Sequence, residues 1–209
     1  MRIREADVLL VVDVQNDFCT NGKLPVRGGE EIVPVVNHLM RVAPHVVFTQ
    51  DWHPPGHCSF ASSHPGRKPF ESLRLPDGEQ RLWPDHCVQG TAGAELHPGL
   101  ERDRGELILR KGFRVGLDSY SAFFENDWRT PTGLGGYLRE RHFARILLVG
   151  LALDICVRAS AEDACRLGFE TVVIEDACRA IDPIAGAAAT RGALAAAGGA
   201  MAIAGEIVA

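Results

Sequence analysis

Val8-Leu9-Leu10-Val11-Val12-Asp13 sets five long or branched apolar residues directly against a carboxylate. The run is too short and too β-branched for a helix, and it is apolar at both odd and even positions. That is the signature of a strand buried on both faces. A buried carboxylate without a partner is costly, so Asp13 calls for a cation nearby. The same grammar recurs outward along the chain. Val46-Val47-Phe48-Thr49 leads into Asp51 and His53, and Leu107-Ile108-Leu109 leads through Arg110 into Lys111. Ile146-Leu147-Leu148-Val149-Gly150 leads, after a short turn, into Cys156, and Val172-Val173-Ile174 ends at Glu175-Asp176.

Between these runs the spacing predicts helices over 30–41, 134–142, 156–167 and 184–197, with a last strand after the final helix. Near-continuous apolar strands alternating with helices predict an α/β fold. It would be a three-layer α-β-α sandwich around a central, mostly parallel sheet. At 209 residues the chain is expected to form one domain over 1–209. In such sheets ligands bind beyond the carboxyl ends of the strands. Asp13, Asp51, His53, Lys111 and Cys156 are all predicted at that edge, so distant segments converge on one site.

Asp51, His53 and His86 form a candidate metal-ligand set, with His57 as a possible addition. Imidazole and carboxylate together suit Zn²⁺, Fe²⁺ or Mn²⁺ better than Mg²⁺ or Ca²⁺. Three protein ligands also leave positions open for water or substrate. One divalent ion per chain is expected, zinc foremost, with iron(II) or manganese(II) as alternatives. The stretch from Pro54 to Gly99 is rich in Pro, Gly and His with weak periodicity, and it is expected to cover the site.

Cys156 stands between a strand and a helix, where the positive end of the helix dipole favours thiolate. With Lys111 and Asp13 it could form a nucleophile system. Two plainer alternatives stay open: a buried structural cysteine, and an Asp13–Lys111 ion pair that only stabilises the fold. The six cysteines contain no C-x-x-C pair and read as reduced, mostly buried thiols. Cys58 and Cys87, each beside a histidine, are a lesser alternative as thiolate ligands.

The hydrophobic fraction of 46% and charged fraction of 23% are those of an ordinary globular domain. A net charge of −5 argues against a nucleic-acid or anionic-membrane partner. No apolar span approaches transmembrane length and no leader pattern is read, so the cytoplasm is the expected location.

Seven segments resemble the nicotinamidase/pyrazinamidase branch of the isochorismatase-like cysteine hydrolases. They are V-D-V-Q-N-D-F-C at 12–19, D-W-H-P-P-G-H-C-S-F at 51–60, W-P-D-H-C-V-Q-G-T at 83–91 and K-G at 111–112. D-S-Y-S-A-F at 118–123, G-L-A-L-D-I-C-V at 150–157 and D-A-C-R at 176–179 complete the set. They follow the family's order and cover nearly the whole chain. The resemblance implies the isochorismatase-like hydrolase fold and conversion of nicotinamide to nicotinate and ammonia through a thioacyl-enzyme. Pyrazinamide would be a further substrate, and the setting would be NAD salvage. It implies Cys156 as nucleophile, Asp13 as general base and acid, and Lys111 as the electrostatic third member. Backbone N–H groups of Ala152 and Cys156 would form the oxyanion hole, next to a cis peptide bond before Ala152. Phe18 and Trp83 match residues that sandwich the substrate ring, Tyr120 lies near the pocket, and Gln15 matches a position beside the metal shell. A homo-oligomer is compatible with the resemblance. Leu153 departs from it, because the motif often carries Thr there and a turn-bracing hydroxyl is absent.

Three rival readings remain at this level. A two-His-one-carboxylate iron oxidoreductase would use Asp51, His53 and His86 but leave Cys156, Lys111 and Asp13 without a task. A sibling hydrolase would act on a vinyl ether or another amide. A silent binding module would keep the fold alone.

Overall fold

The computed structural model describes residues 1–208. Six strands form one sheet in the order β5-β2-β1-β6-β7-β8, with every neighbouring pair parallel. The strands are β1 (Asp7–Val12), β2 (His45–Asp51), β5 (Leu107–Lys111), β6 (Arg145–Leu151), β7 (Glu170–Arg179) and β8 (Ala200–Ala202). The helices are α1 (Val33–Val42), α2 (Leu134–Glu140), α3 (Arg158–Arg166) and α4 (Ala185–Ala196). Among the described residues no helix is long and apolar enough to cross a membrane.

The period of two along β1 divides the core. Leu9 and Val11 face one apolar layer with Leu147, Val149 and Leu151 of β6, whereas Val8, Leu10 and Val12 face the other with Ile146 and Leu148. The first layer is closed by Val33, Val36, Leu39 and Met40 of α1 and by loop residues such as Trp83, Cys87 and Leu96. The second is closed by Leu134 and Leu138 of α2, Ala161 and Ala164 of α3, and Leu194 of α4. α1 carries Pro34 in its first turn, where the missing N–H costs nothing. α4 is capped by Asp182, whose carboxylate accepts the N–H groups of Ile184 and Ala185 at 3.0 and 2.9 Å.

The main sheet is the central parallel layer expected. The structure revises two other expectations. β7 does not end at Glu175-Asp176 but runs on to Arg179, with a register shift opposite Leu148 and Gly150 that absorbs the extra residues. The long Pro/Gly-rich stretch holds an antiparallel hairpin, β3 (Ser72–Leu75) and β4 (Gly78–Arg81), separate from the main sheet. β3 alternates two half-buried leucines with exposed polar residues over only four positions, and the one buried side chain of β4 is the polar Gln80, so hydrophobic periodicity gave little signal.

Adjacent strands β5, β2, β1 and β6 deliver Lys111, Asp51, Asp13 and Cys156 to one edge, with Asp51 paired directly to Lys111 in the ladder. Gly150 lies opposite Val12 with φ of 124°, and a Cβ there would fall 2.0 Å from the Val12 carbonyl oxygen. Only glycine allows β6 to pass β1 this closely before it turns toward Cys156.

Candidate active site

Asp13 follows β1 in the left-handed region, φ 48°, and is fully buried. Its backbone N–H donates to Thr49 Oγ1 at 3.2 Å, and the Thr49 hydroxyl donates back to Asp13 Oδ1 at 2.6 Å. The other oxygen, Oδ2, lies 2.9 Å from Lys111 Nζ. Lys111, also fully buried, donates to the Ser119 carbonyl at 2.9 Å, to Asp51 Oδ1, and toward Cys156 Sγ at 3.4 Å. One ammonium thus joins two carboxylates and a thiol. Such a group is stable only because each charge is paired.

Burial, opposed by Lys111 and reinforced by Asp51, raises the Asp13 carboxyl to about 6. Burial also pushes the Cys156 thiol well above its usual range, against the pull of Lys111. Burial works against the Lys111 charge, yet Asp13 and Asp51 hold its pKa above the ordinary lysine value. The resting thiol is therefore protonated, contrary to the expectation that a helix dipole and a lysine would favour thiolate. Asp13 is a base of intermediate strength within the same cluster.

Cys156 sits in a wide turn over Leu153–Val157, in which the Ala152 carbonyl accepts the N–H groups of both Ile155 and Val157 at 3.1 Å. The Leu151–Ala152 peptide is cis, as the resemblance implied. Leu153 is buried in the second apolar layer. The turn is braced instead by the Asp154 carboxylate, which accepts the N–H groups of Ile181 and Asp182 at 2.9 and 2.8 Å.

Asp51 Oδ2 lies 3.7 Å from His53 Nε2 and 4.0 Å from His86 Nε2, and one ligand atom from each of the three residues falls within 4.8 Å of the others. Ligands about 2.1 Å from a tetrahedral zinc stand roughly 3.4 Å apart, so a small closure accommodates the ion. His53 Nδ1 faces the Gly112 carbonyl and His86 Nδ1 faces the Pro84 carbonyl, each at 2.8 Å. A carbonyl partner requires a proton on Nδ1, which leaves each Nε2 lone pair directed at the shared space. Burial, then repulsion from His53, lowers His86 to about 4, whereas Asp51, against burial, raises His53, whose Nε2 proton a bound ion would displace. The donor set fits a divalent ion.

His57 stacks on His53 at 4.3 Å but belongs to a different group of possible ligands, with His53 and Asp118. Its Nδ1 meets Ser59 Oγ at 2.7 Å. Among the described residues Cys58 and Cys87 enter none of the three groups of possible ligands, the third being Asp13, Asp51 and Cys156. Burial raises both thiols, Cys58 to about 12 and Cys87 well above its usual value, so neither favours the thiolate that a ligand must be. Gln15 holds the shell from behind: its amide donates to the Asp51 carbonyl and accepts the Asp51 N–H, both at 2.8 Å.

Phe18, Trp83 and Tyr120 line the same cavity as Asp51, His53, His86, Ala152 and Cys156. Every site residue expected from the sequence therefore lies at this cavity or in direct contact with its lining, His57 through His53 and Asp118 rather than beside Asp51. Sequence reasoning missed Thr49, Asp118 and Gln80. Asp118 stood in a recognised motif, and Thr49 closed a recognised strand. Gln80 lay on the unrecognised hairpin.

Comparison with known proteins agrees with this geometry. An isochorismatase domain model matches residues 7–204. The nicotinamidase of Acinetobacter baylyi is 51% identical over 184 residues, covering 87% of this chain and 86% of that protein. A nicotinamidase/pyrazinamidase structure from Acinetobacter baumanii superposes with a TM-score of 0.95 at 46% identity, covering 97% of this chain and 98% of that one. A pyrazinamidase from Pyrococcus horikoshii, solved in complex with zinc, gives a TM-score of 0.77 at 32% identity, covering 95% and 99%. Fold, site and sequence agree: this chain belongs to the isochorismatase family.

Proposed function

We infer that this chain is a nicotinamide amidohydrolase that forms nicotinate and ammonia through a Cys156 thioester, with pyrazinamide as a second substrate. The observation that carries this reading is the contact of Lys111 with Asp13, Asp51 and Cys156 beside a histidine–carboxylate set in one aromatic cavity. Relatives named nicotinamidase support the substrate. Residues 1–209 are read as one catalytic unit.

Asp51, His53 and His86 would hold a divalent ion, zinc foremost with iron(II) or manganese(II) as alternatives, which when bound supplies a Lewis-acidic position for a pyridine nitrogen. Phe18 and Trp83 hold the ring, and the carboxamide carbon faces Cys156 Sγ. Asp13 accepts the thiol proton as sulfur attacks that carbon. Lys111 stabilises the charge that appears on sulfur. The N–H groups of Ala152 and Cys156 receive the oxyanion, a contact whose loss costs about 2.7–4 kcal/mol in comparable sites. Asp13 returns its proton to the nitrogen as the C–N bond breaks and ammonia leaves. Asp13 then takes a proton from the water that adds to the thioester and returns it to the Cys156 sulfur as the C–S bond breaks. This restores the thiol and releases nicotinic acid, which loses its proton to solvent as nicotinate.

The test is ammonia release from nicotinamide, pyrazinamide and benzamide by protein of measured metal content. Benzamide keeps the amide and the ring stacking but lacks the ring nitrogen. If that nitrogen contributes about 3–4 kcal/mol of positioning, kcat/KM for benzamide falls by roughly two to three orders of magnitude. Absence of ammonia from nicotinamide with metal-loaded protein would refute the function. Equal kcat/KM for benzamide would refute the role of the nitrogen. Oxygen consumption in place of ammonia would favour the iron oxidoreductase.

A further inference from the structure

The segment that follows β1 reaches all three proposed metal ligands through their backbones. Gln15 takes Asp51, bonding both its N–H and its carbonyl. Asp17, 6% exposed, reaches the other two through a single residue, Cys87. Asp17 Oδ2 accepts the Cys87 N–H at 2.7 Å, and the Cys87 carbonyl accepts the His53 N–H at 3.0 Å. The His53 carbonyl accepts in turn from the Gln89 N–H at 2.9 Å, so residues 87–89 lie along His53 as a short parallel bridge. Cys87 also follows His86 directly, and its φ of 46° puts it in the left-handed region. For a residue with a Cβ that conformation is unfavourable unless its surroundings hold it. A buried hydrogen bond to a carboxylate is strong enough to supply that hold.

Asp17 is itself firmly placed. Its Oδ1 accepts the Lys23 N–H at 3.1 Å, and its carbonyl accepts the Leu24 N–H at 3.0 Å. A Cβ on Gly93 would fall 2.2 Å from Asp17 Oδ2, so only glycine leaves the carboxylate room to reach Cys87. None of these bonds involves Asp13, Lys111 or Cys156.

We propose that Asp17 is a positioning residue for the metal. By holding Cys87 in its left-handed conformation, it fixes His86 and His53 toward the space they share and raises the affinity of the site for a divalent ion. This inference rests on the ligand set of the reading above.

The test is the affinity of metal-stripped protein for Zn²⁺, read by competition with a chromogenic chelator, with thermal unfolding followed on the same samples. Asp17→Ala should weaken Zn²⁺ binding about 10–100-fold, the usual effect of removing a group that orients a ligand. Asp17→Asn, whose amide oxygen can still accept the Cys87 N–H, should lose less. Glycine adopts positive φ freely. Cys87→Gly should therefore return about fivefold or more of the affinity in Asp17→Ala protein, and change it less than about threefold beside native Asp17. A merely structural role predicts instead a lowered Tm with wild-type Zn²⁺ affinity, or an affinity loss that Cys87→Gly leaves untouched. Either result would overturn the proposal. Should Asp17→Ala fail to fold, Asp17→Asn decides: weaker binding supports the proposal and wild-type affinity overturns it. Wild-type protein that binds no Zn²⁺, or His86→Ala protein that binds it as tightly, would overturn the ligand set and this inference together. Binding lost in His86→Ala but unchanged in both Asp17 variants would overturn this inference alone.

Discussion

The Asp13 carboxyl, raised to about 6, sets a sharp expectation for pH dependence. As the proposed acceptor of the Cys156 proton, it works only when ionised. The ionised fraction is about 0.9 at pH 7 and about 0.1 at pH 5 for a pKa of about 6. The acid limb of log kcat/KM should therefore have unit slope and a midpoint near pH 6. The direction of the linkage excludes unfolding through Asp13 as its source. A carboxyl whose folded pKa is raised favours the folded state most below its unfolded value of 3.8, and that contribution falls as pH rises toward 6. Acid thus suppresses turnover while Asp13 itself favours folding. Lys111 lowers the Asp13 pKa, so in Lys111→Met any residual activity should show its limb displaced upward. The assay is direct chromatography of nicotinate from pH 4.5 to 8, with metal content measured at each pH to separate ligand protonation from Asp13. A plateau unchanged down to pH 4.5 would refute the assignment of Asp13 as the base. A limb that follows metal loss point for point would do the same, as would a Lys111→Met limb displaced downward.

Three further outcomes follow from the same geometry. Cys156→Ala should abolish turnover while circular dichroism and metal content match wild type, and a variant that keeps substantial activity would remove Cys156 as nucleophile. His86→Ala should lose bound metal and activity together, measured by elemental analysis of dialysed protein, and full occupancy would refute the ligand set. Lys111→Met strands the Asp13 and Asp51 carboxylates in a fully buried site and should cost about 3–5 kcal/mol in urea unfolding at pH 8. That penalty should shrink toward pH 5 as Asp13 takes up a proton, and a pH-independent penalty would contradict the pairing.

The sheet was legible because β1, β2 and β6 are buried on both faces, and doubly buried strands read as unbroken apolar runs. Asp13, Asp51, Lys111 and Cys156 were legible for the same reason: each interrupts or follows such a run. The hairpin was not legible, since Ser72–Leu75 and Gly78–Arg81 are short, polar and paired only with each other. The protonation state of Cys156 was also hidden. Proximity to a lysine and a helix start is visible in sequence, but complete burial among carboxylates, which outweighs both, is a property of the packed state. His57 shows a third limit, because its place two residues before Ser59 says nothing about whether the ring faces Asp51 or Asp118.

Asp51 has two oxygens with different company: Oδ1 faces Lys111, and Oδ2 faces His53 and His86. The lysine–thiol cluster and the proposed metal-ligand set therefore share one carboxylate, and neither can change charge without the other registering it. Equilibrium linkage makes that influence mutual. Whatever factor the ion contributes to the affinity of a reversible covalent ligand for Cys156, the ligand returns to the affinity of the ion. A compound that captures the thiolate should for that reason slow demetallation by a chelator, and chelation should weaken the compound by the same factor.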